Sequence, residues 1–88
     1  MEKVYIISRM EYVGEVRQHI TVARTLEKAK EIYENWKNSL YGDVLRDAAD
    51  KDWEEEENDH GEYEKRFWLN FDHYEKWVEI KIEECEVM

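Results

Sequence analysis

Proline is absent from the chain and glycine occurs only three times, which removes the composition of flexible linkers, collagen-like repeats and low-complexity tails. Cysteine is limited to Cys85, so no intramolecular disulfide can form and a secreted disulfide scaffold is excluded. No apolar run approaches the roughly 20 residues of a membrane span. The opening MEKVYIISRM lacks a basic start, a long apolar stretch and a small-residue cleavage site, so a signal peptide is not expected and a cytoplasmic location is. Basic residues are scarce too. Thirteen Lys and Arg stand against 23 Asp and Glu, a net charge of −10, which argues against direct contact with nucleic-acid phosphates or an anionic membrane surface.

Catalytic signatures are also missing. The only hydroxyl residues besides tyrosine are Ser8, Ser39, Thr21 and Thr25; none lies in a nucleophile elbow, and no glycine-rich phosphate loop exists. The histidines, His19, His60 and His73, show no HxxxH or HExxH spacing, and no CxxC occurs, so no metal ligand set is assigned. An EF-hand frame with its glycine on Gly61 puts His60 at the fifth position and Phe67 where a bidentate glutamate is needed, and fails. The reading is therefore of a non-enzymatic chain with no cofactor. A small domain with few enclosed spaces points the same way.

What remains is enough to fold. Eighty-eight residues, 42% hydrophobic with 14% aromatic, suit one domain over residues 1–88 with a single small core. Val4 to Met10 is β-branched and aromatic, and Val16, Ile20 and Val22 alternate with Arg17, His19 and Thr21 beyond Gly14. That is the pattern of a β-hairpin with one wet face. Thr25 is a good N-cap for a helix whose apolar residues Leu26, Ala29, Ile32, Tyr33, Trp36 and Leu40 recur at three and four. Its phase continues through Leu45 and Ala48, so helical character is expected to about Ala49. Glu27 with Lys30, and Glu34 with Lys37, are spaced to pair along its polar side.

Tyr63 to Trp77 carries overlapping helix and strand periods, and the alternation of Phe67, Leu69 and Phe71 favours a strand. At least one of Trp68 and Trp77 should then face away from the core. Val78, Ile80 and Ile82 alternate as a further strand, after which the phase slips to Cys85 and Val87. A bulge or strand end near Glu83 and Glu84, with Cys85 as a small buried hydrophobe, is the expectation. The fold class is α+β: an antiparallel sheet in the order β-β-α-acidic segment-β-β, with one main helix on one face.

The most informative feature is the segment 47–64. It holds ten carboxylates, Asp47 and Asp50 through Glu64, against Lys51 alone, a local charge of −9 that leaves the rest of the chain at −1. Read plainly, it is a solvated loop that confers solubility. Read functionally, Asp50, Asp52, Glu54, Glu55, Glu56, Glu57 and Asp59 supply charge, and Trp53 and Trp68 supply apolar anchors, for docking on a basic protein surface. Two alternatives accompany that reading: a self-associating accessory domain forming a homodimer, and a weak divalent-cation binder.

Three stretches, VYIISRM, TLEKAKEIYENW and WVEIKIEECEV, resemble short proteins from phages and mobile elements of gut bacteria. That class includes anti-CRISPR proteins and other inhibitors of host defence. The resemblance implies an inhibitor that occupies the nucleic-acid-binding surface of an enzyme such as a CRISPR effector, acting as a nucleic-acid mimic. None of the three stretches is a functional motif, so it assigns no site residue.

Overall fold

A computed structural model describes residues 2–43, 45–46 and 50–87. Five strands and one helix follow one another as β1 (Glu2–Tyr12), β2 (Val16–Ala23), α1 (Leu26–Asp43), β3 (Lys51–Asn58), β4 (Glu64–Phe71) and β5 (Lys76–Val87). They form one antiparallel sheet in the order β2-β1-β5-β4-β3. The fold is α+β as the sequence pattern predicts. The acidic segment, however, contains a strand where a loop was expected, and that strand is an edge.

The hairpin turns through Gly14 at φ 86°, a left-handed conformation that glycine adopts without a Cβ clash. Ala23 closes β2, and Thr25 then caps α1 by accepting the Lys28 N–H on its Oγ at 3.2 Å, as its N-cap reading requires. The helix ends earlier than its periodicity suggests. Leu45 and Arg46 lie in a bend and turn, and the Leu45 N–H returns to the Leu40 carbonyl at 2.9 Å. Gly42 in the last turn lowers the cost of stopping there. The expectation for Ala48 and Ala49 falls outside the described residues.

Register fixes which side chain faces which way, because alternate residues point to opposite faces. The α1 face takes Ile7 from β1, Val78, Ile80 and Ile82 from β5, and Phe67, Leu69 and Phe71 from β4. These residues pack with Ala29, Tyr33 and Leu40 of α1 into one buried cluster. Fully burying each large side chain contributes about 1.5–3 kcal/mol. The helix lies over the middle of the sheet, against β1 and β5.

Strand β5 runs unbroken to Val87, with Ile6 opposite Glu83, Tyr5 opposite Glu84 and Val4 opposite Cys85. No bulge absorbs the phase slip. Instead the pairing with β4 stops at Glu83, and the unbroken alternation puts Glu84 on the α1 face, where Lys3 reaches it at 3.5 Å, while its N–H bonds the Tyr63 carbonyl. Cys85 accordingly points to the helix-free face and is exposed, which corrects its reading as a buried hydrophobe. Trp68 and Trp77 both lie on that helix-free face as well, since they stand opposite Glu79 and Tyr12.

Candidate functional site: the acidic edge strand

All eight residues of β3 are exposed, and among the described residues its outer edge has no neighbouring strand. Trp53 is its one large apolar residue, so nothing in its hydropathy marks a strand. What places it is pairing. Trp53 stands opposite Leu69, Glu55 opposite Phe67 and Glu57 opposite Lys65 on the α1 face, while Asp52, Glu54 and Glu56 stand opposite Asn70, Trp68 and Arg66 on the other. The acidic run is thus divided into two rows.

The α1-side row is neutralised from within. Tyr33 donates its hydroxyl to Glu55 at 2.7 Å, and Lys37 donates to the same oxygen at 2.9 Å. Tyr63 donates to Glu57, Lys30 approaches Glu57 at 4.0 Å, and Lys65 approaches Glu34 at 3.7 Å. The lysines also lie over aromatic faces: Lys30 over Tyr63, Lys37 over Phe67 and Lys65 over Tyr33, all 5.0–5.3 Å from the ring centroids. Each such contact is worth about 0.5–1 kcal/mol where solvent reaches it. Lys30 and Lys37 therefore leave the helix-surface pairs with Glu27 and Glu34 that their spacing suggests. They turn to the sheet, where carboxylate and ring together offer more than one helix neighbour does.

Titration follows from these contacts. Burial acts to raise the Glu55 carboxyl, but the hydrogen bonds from Tyr33 and Lys37 outweigh it and hold it below the ordinary glutamate value. Glu57 is held low chiefly by the Tyr63 hydroxyl. Tyr33 and Tyr63 are pushed up, first by burial and then by the carboxylates they donate to. Neither tyrosine is poised as an acid or base near neutral pH.

The opposite row is different. Glu54 and Glu56 have no hydrogen-bond or ion-pair partner among the described residues. Arg66, the nearest cation by register, pairs with Glu79 at 3.1 Å and lies over the Trp68 ring, 4.7 Å from its centroid. Asp52 accepts the Tyr74 hydroxyl, which pushes that hydroxyl's pKa up. Asp52, Trp53, Glu54, Trp68, Asn70 and Tyr74 line one shallow groove at the corner of the sheet.

That corner is built around a turn with three consecutive left-handed residues, Asp72, His73 and Tyr74, at φ 52°, 60° and 66°. Each such non-glycine residue costs roughly 1–2 kcal/mol. Asp50 holds the turn: its carbonyl accepts the Asp72 N–H at 2.8 Å, and its carboxylate accepts the His73 N–H at 3.2 Å and meets the His73 ring at 3.0 Å. Asp50 is thereby a turn-holding residue and not part of an open acidic strip.

The residues named from sequence are therefore sorted by position. Glu54, Glu56 and Trp68 share the helix-free face, with Asp52 at its corner. Trp53, 58% exposed, flanks the same edge from the α1 side, stacked on Phe67 at 6.0 Å. Asp59 follows β3 in an exposed connection, and Asp47 is outside the described residues. Composition missed the partners Tyr33, Tyr63, Tyr74, Lys30 and Lys37. It also missed Arg9 and Glu11, whose largely buried side chains pair at 3.0 Å under α1, with Arg9 also donating to Ser39 at 3.3 Å. No period in β3 itself signalled the first group, because its division into rows follows from pairing with β4. The second left a trace in the phase of β1, where Arg9 and Glu11 fall in step with Ile7.

Among the described residues, no three of His, Cys, Asp and Glu converge as a metal ligand set, and no helix is long and apolar enough to cross a membrane. No family model, no curated protein and no solved structure matches the chain.

Proposed function

We propose that the chain is a protein-interaction module whose edge strand β3 engages a basic surface of a partner protein, and that it inhibits a nucleic-acid enzyme, of CRISPR-effector type, by occupying the surface that holds phosphates. One observation carries the reading: Glu54 and Glu56 stand unpaired on an open edge, flanked by the exposed rings of Trp53 and Trp68. Exposed carboxylates steer and orient a cationic partner, and rings beside them supply the apolar anchor of an interface.

Spacing supports the mimic form of the idea. Successive β3 residues rise by about 3.4 Å, close to the 3.4 Å axial rise per phosphate of one DNA strand. Because Glu55 and Glu57 are neutralised on the α1 side, the free charge repeats at about twice that distance. The strip thus has roughly half the linear charge density of a nucleic-acid strand. Binding then needs the tryptophans as well as the carboxylates. The same charges also guard the edge, since a row of like charges discourages two β3 strands from pairing with each other.

The test is capture from a bacterial lysate on immobilised chain, comparing the native sequence with the double variant Glu54→Lys, Glu56→Lys. Proteins held by the native chain are released with salt of about 1 M, where screening acts within 3 Å, and assayed for binding of a labelled duplex with the chain added back. Support is a nucleic-acid-binding protein that loses its duplex to the native chain and keeps it in the presence of the double variant. A captured protein that binds duplex equally well with either chain overturns the inhibitor reading.

A further inference from the structure

Trp68 stands in the middle of the helix-free face of β4, and register gives it different neighbours on its two sides. Towards one end of the strand the next row across the sheet is Glu56, Arg66 and Lys81; towards the other it is Asp52, Asn70 and Trp77. An indole has two faces, and each attracts a cation. Arg66 takes the first. Its guanidinium lies 4.7 Å from the ring centroid, held by Glu79 at 3.1 Å, and Arg66 and Trp68 share a narrow space of about 50 Å³ with Glu54 and Glu56. One side of this ring therefore shows how a guanidinium sits between indole and carboxylates.

The other side repeats the pattern with a wider opening. Trp68 and Glu54 again take part, Asp52 stands in place of Glu56, and Tyr74 adds a second ring. Along β4, Asn70 holds the position that Arg66 holds on the first side, so a neutral amide replaces the cation. No Lys or Arg is among the described residues that line this groove, and its volume is about 150 Å³ against about 50 Å³ beside Arg66. That is below the roughly 300 Å³ at which sites for drug-sized ligands and cofactors begin, and it suits the head of one side chain. We infer that the groove binds an arginine side chain of the partner protein, its guanidinium stacked on the second face of Trp68 and bonded to Asp52 and Glu54. A planar fork that stacks and donates at the same time separates arginine from lysine, whose ammonium is a strongly hydrated point charge.

Tyr74 closes the end of the groove. The left-handed turn carries its ring out of the core, 62% exposed, and its hydroxyl donates to Asp52, which orients that carboxylate. The proposal rests on the reading of β3 as a partner-binding edge and names the group which that edge grips.

Nuclear magnetic resonance of the isotopically labelled full chain tests it, at constant ionic strength, with three probes: N-acetyl-arginine amide, N-acetyl-lysine amide, and N-acetyl-citrulline amide, in which a neutral urea replaces the guanidinium. The signal followed is the indole N–H of Trp68, identified by its loss in Trp68→Phe. The expected result is a saturable shift with the arginine probe, half-complete at about 1–30 mM, the range of a single side-chain contact. The lysine probe should bind at least roughly threefold more weakly, the citrulline probe should leave the signal in place, and the indole of Trp36, packed against the core, should not respond. Asn70→Arg supplies the cation from within the chain and should abolish the shift; Asp52→Asn, which keeps the shape, should weaken binding by roughly threefold or more. Circular dichroism checks the fold of both, and where one is unfolded the other carries the test. A shift that never saturates overturns the proposal, as does an equal response to lysine or citrulline, or binding that the folded variants leave unchanged. The duplex assay separates this result from the inhibitor reading. Arginine binding beside a failed duplex assay overturns inhibition and keeps the groove; a successful duplex assay without arginine binding overturns the groove alone.

Discussion

The two edges of this sheet solve one problem in opposite ways. Among the described residues no strand pairs with the outer edge of β3, which carries Asp52 and four consecutive glutamates, so its charge keeps other strands away. β2 is the other edge; it is almost uncharged on its helix-free face and exposes Val16, Ile20 and Val22. Charge at one edge and apolar surface at the other, four strand spacings or roughly 19 Å apart, make a polarised molecule. The lesson is that net charge describes neither end. The −10 of the whole chain hides a neutral hairpin, and the −9 of residues 47–64 hides a row of carboxylates already satisfied from within.

The comparison breaks most violently at Arg9 and Glu11, the ion pair that ties the hairpin to the helix. Glu11→Ala leaves the Arg9 guanidinium under α1 without its carboxylate and is expected to cost about 3–5 kcal/mol. For a domain of this size that approaches the whole of its stability, and the variant should show a lost or sharply lowered melting transition. A change to alanine that leaves the melt intact would mean that α1 does not hold Arg9 in place.

Next in size is the contrast within β3 itself. Glu55 accepts from Tyr33 and Lys37, so Glu55→Ala should cost about 1.5–3 kcal/mol, the range for hydrogen bonds to charged groups. Tyr33→Phe removes one of the two donors and should cost about 1 kcal/mol. Denaturant titration of the two variants reads both values, and a Tyr33→Phe cost near zero would show that Lys37 carries Glu55 without help from the tyrosine.

pH sharpens the same contrast. Glu55 has a folded pKa below its ordinary 4.5, so its contribution is complete above that value and is lost as pH falls through the folded pKa. The stability gap between the native chain and Glu55→Ala should therefore close on acidification below about pH 4. Tyr33 is raised above its ordinary 10.0. Its contribution is present below pH 10 and fades as pH rises beyond it, and the gap to Tyr33→Phe should narrow there. A gap that stays constant with pH in either case would show that the hydroxyl–carboxylate bond is not what the variant removes.

Much of the fold was legible in the sequence, because apolar residues in regular phase report burial directly. The Thr25 cap, the helix phase from Leu26 to Leu40, and the alternations in β1, β2, β4 and β5 all correspond to elements that bury one side. β3 was not legible for the converse reason: an edge strand off the end of the helix layer buries neither side, so it has no hydropathic period to read. Its pairing is decided by β4, which needed a neighbour for its second edge. The fate of Cys85 was misread on similar grounds. Apolar character suggested burial, but register with Val4 places it where no helix lies. For the site, the charge was visible and its division into rows was not, because that division depends on Tyr33, Lys37 and Tyr63 arriving from elsewhere in the chain.

The smallest effects belong to the open row. The double variant Glu54→Ala, Glu56→Ala removes side chains with no internal partner and should change stability by no more than about 0.5 kcal/mol in total. The most direct measurement of the account is accordingly a thermal melt of the native chain beside Glu55→Ala and the double variant Glu54→Ala, Glu56→Ala. The division of β3 into a structural row and a free row predicts a fall of at least about 6 °C for Glu55→Ala, at 4–8 °C per kcal/mol for a domain of this size, and a double-variant midpoint within about 4 °C of native. Equal losses from the two would contradict it, because the acids on the helix-free face would then be holding the fold as firmly as the one bonded to Tyr33 and Lys37.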